Sequence, residues 1–254
     1  MAVNSSSELF GIVGARALVT GGTGAIGGAI ARGFVAAGAR VAIVGRSDKT
    51  RTIAASLGDG VLGITADLTD FQALSSAFGE ATAALGGLDV LVTAHGSARV
   101  QSATDYSQEF WDEMLTLNLT SVFQLCRLAA PIMLGQGRGK IITIASMLSF
   151  SGGLMVSGYA ASKGGVAQLT KALANEWSGL GVNVNAIAPG YIKTRLNKHI
   201  WSDPVRHDQI LARLPAGRWG NPEDLVGAAI FLASPASDYV HGIVLPVDGG
   251  WLAR

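Results

Sequence analysis

Short apolar, β-branched runs alternate with longer amphipathic stretches along almost the whole chain. Runs of this length predict buried strands, and the stretches between them repeat apolar positions at helical spacing. The predicted strands lie at residues 15–20, 40–44, 61–65, 88–93, 140–145, 182–188 and 242–247. The predicted helices lie between them, one ending near Gly38 and the others at residues 47–57, 70–85, 108–134, 157–178 and 222–232.

This alternation predicts an α/β fold, namely a Rossmann-like, doubly wound parallel sheet of seven strands with helices on both faces. Ligands of such sheets bind beyond the carboxyl ends of the strands. No low-complexity linker and no internal repeat interrupts the pattern, so we expect residues 1–254 to form a single domain. Residues 1–7 are polar and rich in serine, which predicts a loose tail.

Composition narrows the range of partners and compartments. The chain has 254 residues, of which 15% are charged, and its net charge of +1 gives no support for nucleic acid or an anionic membrane as a partner. Its single cysteine, Cys126, favours a reducing compartment. No window reaches about 18 uninterrupted apolar residues, and the start of the chain lacks a signal-peptide pattern. We therefore expect a cytoplasmic protein without a membrane span.

A glycine-rich run follows the first predicted strand and opens the first helix. It reads G-G-T-G-A-I-G-G from Gly21 to Gly28. Glycine lets the backbone approach a pyrophosphate closely, and the amides at the start of the helix then face the phosphates. The strand before the run and the helix after it favour a dinucleotide site over a flexible turn.

Tyr159, Lys163 and Ser146 form a candidate catalytic group. Tyr159 and Lys163 are four residues apart in a predicted helix, so their side chains lie on one face. A nearby ammonium favours the phenolate and lowers the pKa of a tyrosine below its ordinary value of about 10. Ser146 follows the strand before this helix, where its hydroxyl can face the tyrosine across a reacting carbonyl. Amphipathic packing is the alternative explanation for a tyrosine on a helix.

Several motifs taken together resemble the short-chain dehydrogenase/reductase family. They are T-G-x-x-x-x-x-G at residues 20–27, Asp67, Asn118, Ser146, Y-A-A-S-K from Tyr159 to Lys163, and P-G-Y-I-K-T at residues 189–194. The resemblance extends from Gly11 to Arg254. It implies hydride transfer between a nicotinamide and a small-molecule carbonyl or secondary alcohol.

The same resemblance implies a role for each motif residue. Tyr159 is the general acid or base, Lys163 lowers its pKa and holds the nicotinamide ribose, and Ser146 orients the substrate oxygen. Asn118 anchors a water that links Lys163 to solvent, and the alternative for Asn118 is a helix-interior amide at a kink. The implied cofactor-binding residues are Gly21, Thr23, Gly24, Ala25, Ile26, Gly27, Arg46, Asp67, Leu68, Ala94, Gly96, Tyr159, Lys163, Pro189, Gly190, Ile192 and Thr194.

Two positions depart from the family pattern. Ala25 replaces the middle glycine of the usual loop, and a single methyl group there should shift the loop only slightly. T-A-H-G at residues 93–96 replaces the usual N-N-A-G, so His95 either projects toward cofactor or substrate or is a hydrogen-bonded structural histidine. The four histidines of the chain lack metal-ligand spacing, and we expect no metal site.

The end of the second predicted strand bears on the choice of dinucleotide. NAD sites usually place a carboxylate there, whereas an arginine accommodates the 2′-phosphate of NADP. Gly45 stands where the acid would be and Arg46 follows, which favours NADP(H), while nearby Asp48 keeps NAD(H) open. Asp67 resembles the family's adenine-contacting acid, with a helix N-cap as the alternative.

Substrate specificity should depend on a lid at about residues 190–220, where the family varies. Six cations lie there against Asp203 and Asp208, so we expect an anionic substrate with Arg195 among its binding residues, beside Ser146 and Tyr159; a solvated helix is the alternative. The motifs A-S-M-L-S-F-S-G-G, L-A-N-E-W, P-A-G-R-W-G and V-D-G-G-W-L-A-R resemble a branch that acts on keto sugar acids of the 2-dehydro-3-deoxy-D-gluconate type. That branch is generally associated with NAD, whereas Arg46 favours NADP(H).

Two other functions fit parts of the sequence. One is an NADPH-dependent 3-oxoacyl or general carbonyl reductase, and the other is a non-catalytic dinucleotide sensor, which would not need a proton donor. The apolar faces of residues 108–134 and 157–178, together with the C-terminal strand, resemble the family's tetramer contacts and predict a homotetramer, with a dimer as the alternative. Ordinary core packing explains much of the same pattern.

Overall fold

The predicted strands form one parallel sheet in the computed structural model, which describes residues 5–254. Their order across this seven-stranded sheet is 3-2-1-4-5-6-7, and every neighbouring pair is parallel. The Rossmann-like doubly wound fold is therefore confirmed. The strands are β1 (Arg16–Thr20), β2 (Arg40–Gly45), β3 (Leu62–Thr65), β4 (Val90–Thr93), β5 (Gly139–Ile144), β6 (Val182–Pro189) and β7 (Val244–Val247).

Helices cover both faces of the sheet. The helices are α1 (Ser6–Leu9), α2 (Ala25–Ala36), α3 (Thr50–Leu57), α4 (Phe71–Leu85), α5 (Gln108–Leu115), α6 (Ser121–Gln136), α7 (Ser157–Trp177), α8 (Lys198–Trp201), α9 (Pro204–Leu211) and α10 (Val226–Ala233). Helices α4, α6 and α7 pack on one face, while α2, α3 and α10 pack on the other.

Successive strand residues point to opposite faces of the sheet, and both faces are buried. Leu18 and Leu91 belong to the core under α4, α6 and α7, whereas Val19 and Val92 belong to the core under α2, α3 and α10. All four side chains are 0% exposed. This burial on both sides explains why the strands are continuously apolar instead of alternating.

Three predicted elements differ in detail. The helix predicted at residues 108–134 is interrupted by a π-helical turn (Thr116–Thr120) between α5 and α6. The helix predicted at residues 222–232 begins as a 3₁₀ turn (Pro222–Leu225). The predicted tail at residues 1–7 is partly helical, since Ser5 and Glu8 form a capping box on α1, and its residues 1–4 lie outside the described part of the chain.

One helical stretch of the described chain is long and apolar enough, by length and composition alone, to cross a membrane. It runs over Gln108–Gln136, and 44% of its most apolar window is buried inside the fold. The stretch also contains the π turn and the buried polar residues Asn118 and Ser121. Core helices pass the same test, so this stretch is weak evidence for a membrane span.

The carboxyl ends of β1, β4 and β5 lie side by side at one edge of the sheet. Thr20, Thr93 and Thr143 are aligned across these strands in register. The chain continues from them into Gly21, into the segment 94–97, and into Ser146. Motifs that are far apart in the sequence are thereby brought to a single edge, as expected for a doubly wound sheet.

Candidate active site

Ser146 and Tyr159 meet at the carboxyl end of β5. Ser146 is the N-cap of a 3₁₀ turn (Met147–Ser149), where its Oγ accepts a hydrogen bond from the Leu148 amide at 3.1 Å. The Tyr159 phenol, in the first turn of α7, lies close enough to Ser146 for the serine to lower its pKa. Burial raises the pKa of Tyr159 above its ordinary value, and the contact with Ser146 only partly offsets that effect.

Lys163 lies one turn further along α7 with its ammonium in the protein interior. The side chain is 4% exposed, Nζ donates a hydrogen bond to the Ile144 carbonyl at 2.6 Å, and Nζ lies 5.9 Å from the centre of the Tyr159 ring. Burial lowers the pKa of Lys163 to about 8. The expected lowering of the Tyr159 pKa by Lys163 is not seen in this structure, because burial of the phenol dominates.

Asn118 lies in the π turn, 0% exposed, and ties this turn to the segment after β4. Its Oδ1 accepts a hydrogen bond from the Ser97 amide at 2.9 Å, and its Nδ2 donates to the Ser97 carbonyl at 2.9 Å and to Ser162 Oγ at 3.1 Å. A Cβ on Gly96 would lie 3.0 Å from Asn118 Oδ1 and 3.7 Å from Lys163 Nζ. Gly96, Asn118 and Lys163 therefore line one small volume.

The glycine run forms the predicted cradle at the start of α2. Gly21 has φ +67°, and a Cβ there would lie 2.6 Å from the His95 amide nitrogen, so only glycine fits. A Cβ on Gly27 would collide with the Gly21 carbonyl. The N-cap, Gly24, has no side chain to cap the first amides of α2, and exposed Ala25 is the first helical residue. This backbone fits the pyrophosphate of a dinucleotide.

The end of β2 has no room for a side chain at Gly45. A Cβ there would lie 2.6 Å from Thr23 Cγ2 and 2.9 Å from Thr50 Oγ1. Arg46 is exposed directly after it, and its charge contributes to lowering the pKa of Asp67, after the larger effect of hydrogen bonds from Thr69. The two predicted residues Arg46 and Asp67 therefore lie close to each other, after β2 and β3 respectively.

Asp67 is not a helix N-cap, which rules out that alternative. Asp67 Oδ1 accepts hydrogen bonds from the amide and the hydroxyl of Thr69, at 2.9 and 2.8 Å. The N-cap of α4 is Asp70, whose carboxylate accepts from the amides of Gln72 and Ala73. Leu68, in contrast to exposed Asp67, is buried in the core at 7% exposure.

The segment from Pro189 to Thr194 leaves the carboxyl end of β6 and starts the predicted lid. A Cβ on Gly190 would lie 2.6 Å from Asp248 Cα, and Ile192 is bridged to Gly220 at the far end of the lid. Thr194 is fixed by Asn197, whose Oδ1 accepts from the Thr194 amide and hydroxyl, both at 3.0 Å. The base of the lid is thus closed at residues 192 and 220.

The lid cations do not all remain available for a substrate. Arg218 forms a bidentate ion pair with Asp224, at 2.7 and 2.8 Å, and Arg213 lies 4.0 Å above the Trp251 ring. Arg195 lies in the turn before α8 and is exposed. The remaining cations of this segment are also exposed, namely Lys193, Lys198 and Arg206. Fewer cations are therefore free to bind an anionic substrate than the sequence suggests.

The structure adds polar residues that the sequence did not single out. Ser97 and Ser162 hold the Asn118 amide, and Ser149 Oγ donates to the Lys163 carbonyl at 2.6 Å. Ser162 also donates to the Tyr159 carbonyl at 2.7 Å. Of these serines, only Ser162 could have been found from the sequence, because it precedes Lys163 in the Y-A-A-S-K motif.

His95 is buried beside the glycine run and contacts two hydroxyl groups. Its Nδ1 lies 2.6 Å from Thr20 Oγ1, and its Nε2 lies 2.7 Å from Ser121 Oγ. This environment favours the structural interpretation of His95 over projection toward a ligand. Within residues 5–254, no group of three or more His, Cys, Asp or Glu side chains could hold a metal ion.

Comparisons with known proteins agree with this geometry. A family profile described as "Enoyl-(Acyl carrier protein) reductase" matches residues 21–252. The 2-dehydro-3-deoxy-D-gluconate 5-dehydrogenase of Escherichia coli (strain K12) is 44% identical over 248 residues, which span 96% of this chain and 98% of the relative.

Two solved structures superpose over nearly their whole length. One is a candidate NAD(P)-dependent gluconate 5-dehydrogenase from Beutenbergia cavernae with NADP at low occupancy, with TM-score 0.92, 47% identity, and coverage of 96% of this chain and 99% of that one. The other is a gluconate 5-dehydrogenase from Burkholderia cenocepacia J2315 in complex with NADP and tartrate, with TM-score 0.94, 37% identity, and coverage of 98% and 100%. This chain therefore belongs to the short-chain dehydrogenase/reductase family of oxidoreductases.

Proposed function

We propose that this chain is an NADP(H)-dependent oxidoreductase acting on a keto sugar acid of the 2-dehydro-3-deoxy-D-gluconate type, at its carbonyl or the corresponding secondary alcohol. The observation that carries the proposal is the grouping of Ser146 and Tyr159 beside Lys163, whose buried Nζ lies 5.9 Å from the centre of the Tyr159 ring. This group lies at the sheet edge that also holds the glycine cradle. The Escherichia coli relative, named for this substrate, matches nearly the full length of the chain.

The side chains of the site divide the work of proton transfer. A bound nicotinamide supplies or accepts the hydride. In reduction, the Tyr159 phenol donates its proton to the substrate oxygen while the Ser146 hydroxyl donates a hydrogen bond to the same atom. Because burial raises the pKa of Tyr159, the phenol is protonated at neutral pH and ready to act as an acid. The Lys163 ammonium stabilises the phenolate that remains.

The Tyr159→Phe variant tests this assignment because it removes only the phenol oxygen. We expect turnover to fall by about 10²- to 10⁴-fold, the usual contribution of general acid catalysis. Dinucleotide affinity, measured by isothermal titration calorimetry, should stay within about twofold, since the cradle at residues 21–27 is untouched. Tyr106→Phe removes a buried phenol oxygen that has no hydrogen-bond partner within residues 5–254 and serves as the control. Normal turnover in Tyr159→Phe would refute the proton-donor role.

The preference for NADP(H) is supported by the end of β2. A carboxylate at position 45 would collide with Thr23 and Thr50, so the acid that usually holds a ribose 2′-hydroxyl has no place there. Arg46 presents an exposed guanidinium directly after that position, where a 2′-phosphate can be bound. The Beutenbergia and Burkholderia structures both contain NADP.

The choice of a keto sugar acid is supported by the lid and by two relatives. Lys193, Arg195 and Lys198 are exposed in one short segment, and arginine suits bidentate contact with a carboxylate. The Burkholderia gluconate 5-dehydrogenase contains tartrate, a dicarboxylate with secondary alcohols. We propose Arg195 as the residue that binds the substrate carboxylate.

A general carbonyl reductase is the second candidate, and one feature favours it. The loop between β5 and α7 carries Phe150, Leu154 and Met155, which are 52%, 89% and 46% exposed, close in sequence to Tyr159. Such a rim suits apolar ketones or acyl thioesters. Activity on those compounds, with indifference to a substrate carboxylate, would favour this candidate over the keto sugar acid.

We also propose a cytoplasmic homotetramer. Exposed apolar residues lie on α6 and near β7, where Phe123 is 40%, Tyr239 100% and Ile243 40% exposed. β7 is an edge strand of the sheet, and an apolar edge is a usual place for contact between subunits.

A further inference from the structure

His95 is held by hydrogen bonds that one neutral tautomer satisfies completely. The Ser121 hydroxyl donates to the Leu117 carbonyl at 2.6 Å, so its oxygen accepts from His95 Nε2–H at 2.7 Å. We assign His95 Nδ1 as the unprotonated nitrogen, because it lies 2.6 Å from the Thr20 hydroxyl, closer than the Val92 carbonyl at 3.3 Å, and is therefore the better acceptor. Both ring nitrogens are therefore engaged inside the protein, and neither is available to a substrate.

The imidazole stays uncharged under physiological conditions. His95 is 8% exposed, and burial, reinforced by the positive charge of Lys163, lowers its pKa to about 3. A neutral ring can keep its two opposite roles, donor at Nε2 and acceptor at Nδ1, across the working pH range. This rigid pair of roles suits a bridge between two elements better than a proton carrier.

The two partners of His95 belong to different parts of the proposed active site. Thr20 is the last residue of β1 and precedes Gly21 of the glycine cradle, which also packs directly against the His95 backbone. Ser121 follows the π turn (Thr116–Thr120) that carries Asn118, and Leu117 lies within that turn. His95 thus lies between the phosphate end and the proton-transfer end of the site.

We propose that His95 is a positioning residue that fixes the glycine cradle through Thr20 and the Asn118 turn through Ser121. The inference rests on the proposed function for its catalytic consequence. The Thr20 contact should control dinucleotide affinity, and the Ser121 contact should control turnover. The ring stands where the usual N-N-A-G motif has alanine.

Two conservative variants remove one contact each and test the division. Thr20→Val should weaken NADPH binding about three- to tenfold, as expected for a lost buried hydrogen bond, with a smaller effect on kcat. Ser121→Ala should lower kcat by a similar factor while the calorimetric Kd for NADPH stays within about twofold.

His95→Asn keeps a polar atom near the Nδ1 position and should resemble Ser121→Ala, whereas His95→Gln keeps a donor near Nε2 and should resemble Thr20→Val.

Hydrogen–deuterium exchange of the protein without added dinucleotide tests the positioning directly. Thr20→Val should speed exchange at residues 21–24, Ser121→Ala should speed it at residues 116–120, and His95→Ala should speed both. Thr143→Val is the matched control, because its buried hydroxyl lies in the same sheet row but contacts Thr170. It should leave both segments unchanged.

The outcomes separate this inference from the proposed function. Equal acceleration of both segments in Thr20→Val and Ser121→Ala, or no acceleration in His95→Ala, would overturn the bridge. If each variant speeds exchange in its own segment only, but the wild-type protein binds neither NADPH nor NADH, the bridge is supported as a structural device and the proposed function is refuted. If each variant speeds exchange in its own segment only, and Thr20→Val mainly changes Kd while Ser121→Ala mainly changes kcat, both the bridge and the proposed function are supported.

Discussion

At the scale of single residues, burial sets the protonation state of the site more strongly than attraction between its members. Burial lowers the pKa of Lys163 to about 8 and raises that of Tyr159. Near neutral pH the site therefore holds an ammonium and a neutral phenol, the state that the proposed proton donation to a carbonyl oxygen requires. Oxidation of an alcohol needs the phenolate instead, so its rate should rise toward alkaline pH.

The buried ammonium of Lys163 predicts a pH-dependent stability. Its pKa is depressed from 10.5 to about 8, so between these values the unfolded chain binds a proton that the folded chain does not. The free energy of unfolding should therefore rise with pH across that range. Lys163→Met, which has no charge to bury, should lack this part of the rise. Parallel urea unfolding of wild type and variant checks it, and identical pH profiles would contradict a depressed pKa.

The central residues could be predicted from the sequence because their spacing carries chemical meaning. Tyr159 and Lys163 are one helical turn apart, and both lie where the pattern placed them. The pKa of Tyr159 could not be predicted, since it depends on burial by residues distant in the chain. Ser97 was also missed, because its role uses only its backbone groups, which any residue carries.

At the scale of elements, the proposed preference for NADP(H) rests on the shape of the end of β2 as well as on its charge. Two side chains fill the space next to Gly45. They are Thr23, which belongs to the glycine cradle, and Thr50, which belongs to α3. The cradle and α3 therefore leave no room for an acidic side chain at this position, and Arg46 is the exposed charge directly after the strand. This arrangement supports the proposed preference for a 2′-phosphate.

The Arg46→Ala variant should weaken NADPH binding about tenfold or more and leave NADH binding nearly unchanged. A charged hydrogen bond to phosphate is lost only with NADPH, which explains the difference. The matched control is Arg40→Ala, which removes the same charge from the opposite, exposed end of β2. Calorimetric titration of all three proteins with both dinucleotides checks the prediction. An equal loss for NADH and NADPH would contradict a role in selectivity.

Strands were predictable to within a few residues, whereas the π turn was not. Continuous apolar spacing across residues 108–134 is the same for an unbroken helix and for one with an inserted residue. The insertion is fixed by long-range bonds from Asn118 to Ser97 and Ser162, which no local pattern reveals. The short lid helices α8 and α9 escaped for a related reason, since neither buries a residue.

At the scale of the whole molecule, the sheet is complete on both faces, but its surface keeps apolar side chains. Phe123 on α6 and Ile243 before β7 are each 40% exposed, and Tyr239 is fully exposed. The long helical stretch that contains α6 is only partly covered by the fold. These surfaces support the proposed assembly, in which another subunit removes them from water.

The Phe123→Glu variant should reduce the proposed tetramer to smaller species. A carboxylate in a subunit contact must be desolvated without a partner, which disfavours association. Light scattering after size-exclusion chromatography should give about four times 26.1 kDa for wild type and a lower mass for the variant. Val13→Glu, at an 84% exposed site elsewhere, is the control and should keep the wild-type mass. A monomeric wild-type protein would refute the tetramer.

Transfer of an isotopic label tests the proposed reaction most directly. Purified protein would be given NADPH with both C4 hydrogens of the nicotinamide replaced by deuterium, with 2-dehydro-3-deoxy-D-gluconate-type keto acids, their non-carboxylated analogues and an acyl thioester. We predict that mass spectrometry will find one deuterium on the carbon of the new secondary alcohol, with the keto sugar acids as preferred substrates. A product without deuterium, or consumption of the acyl thioester alone, would contradict the proposal.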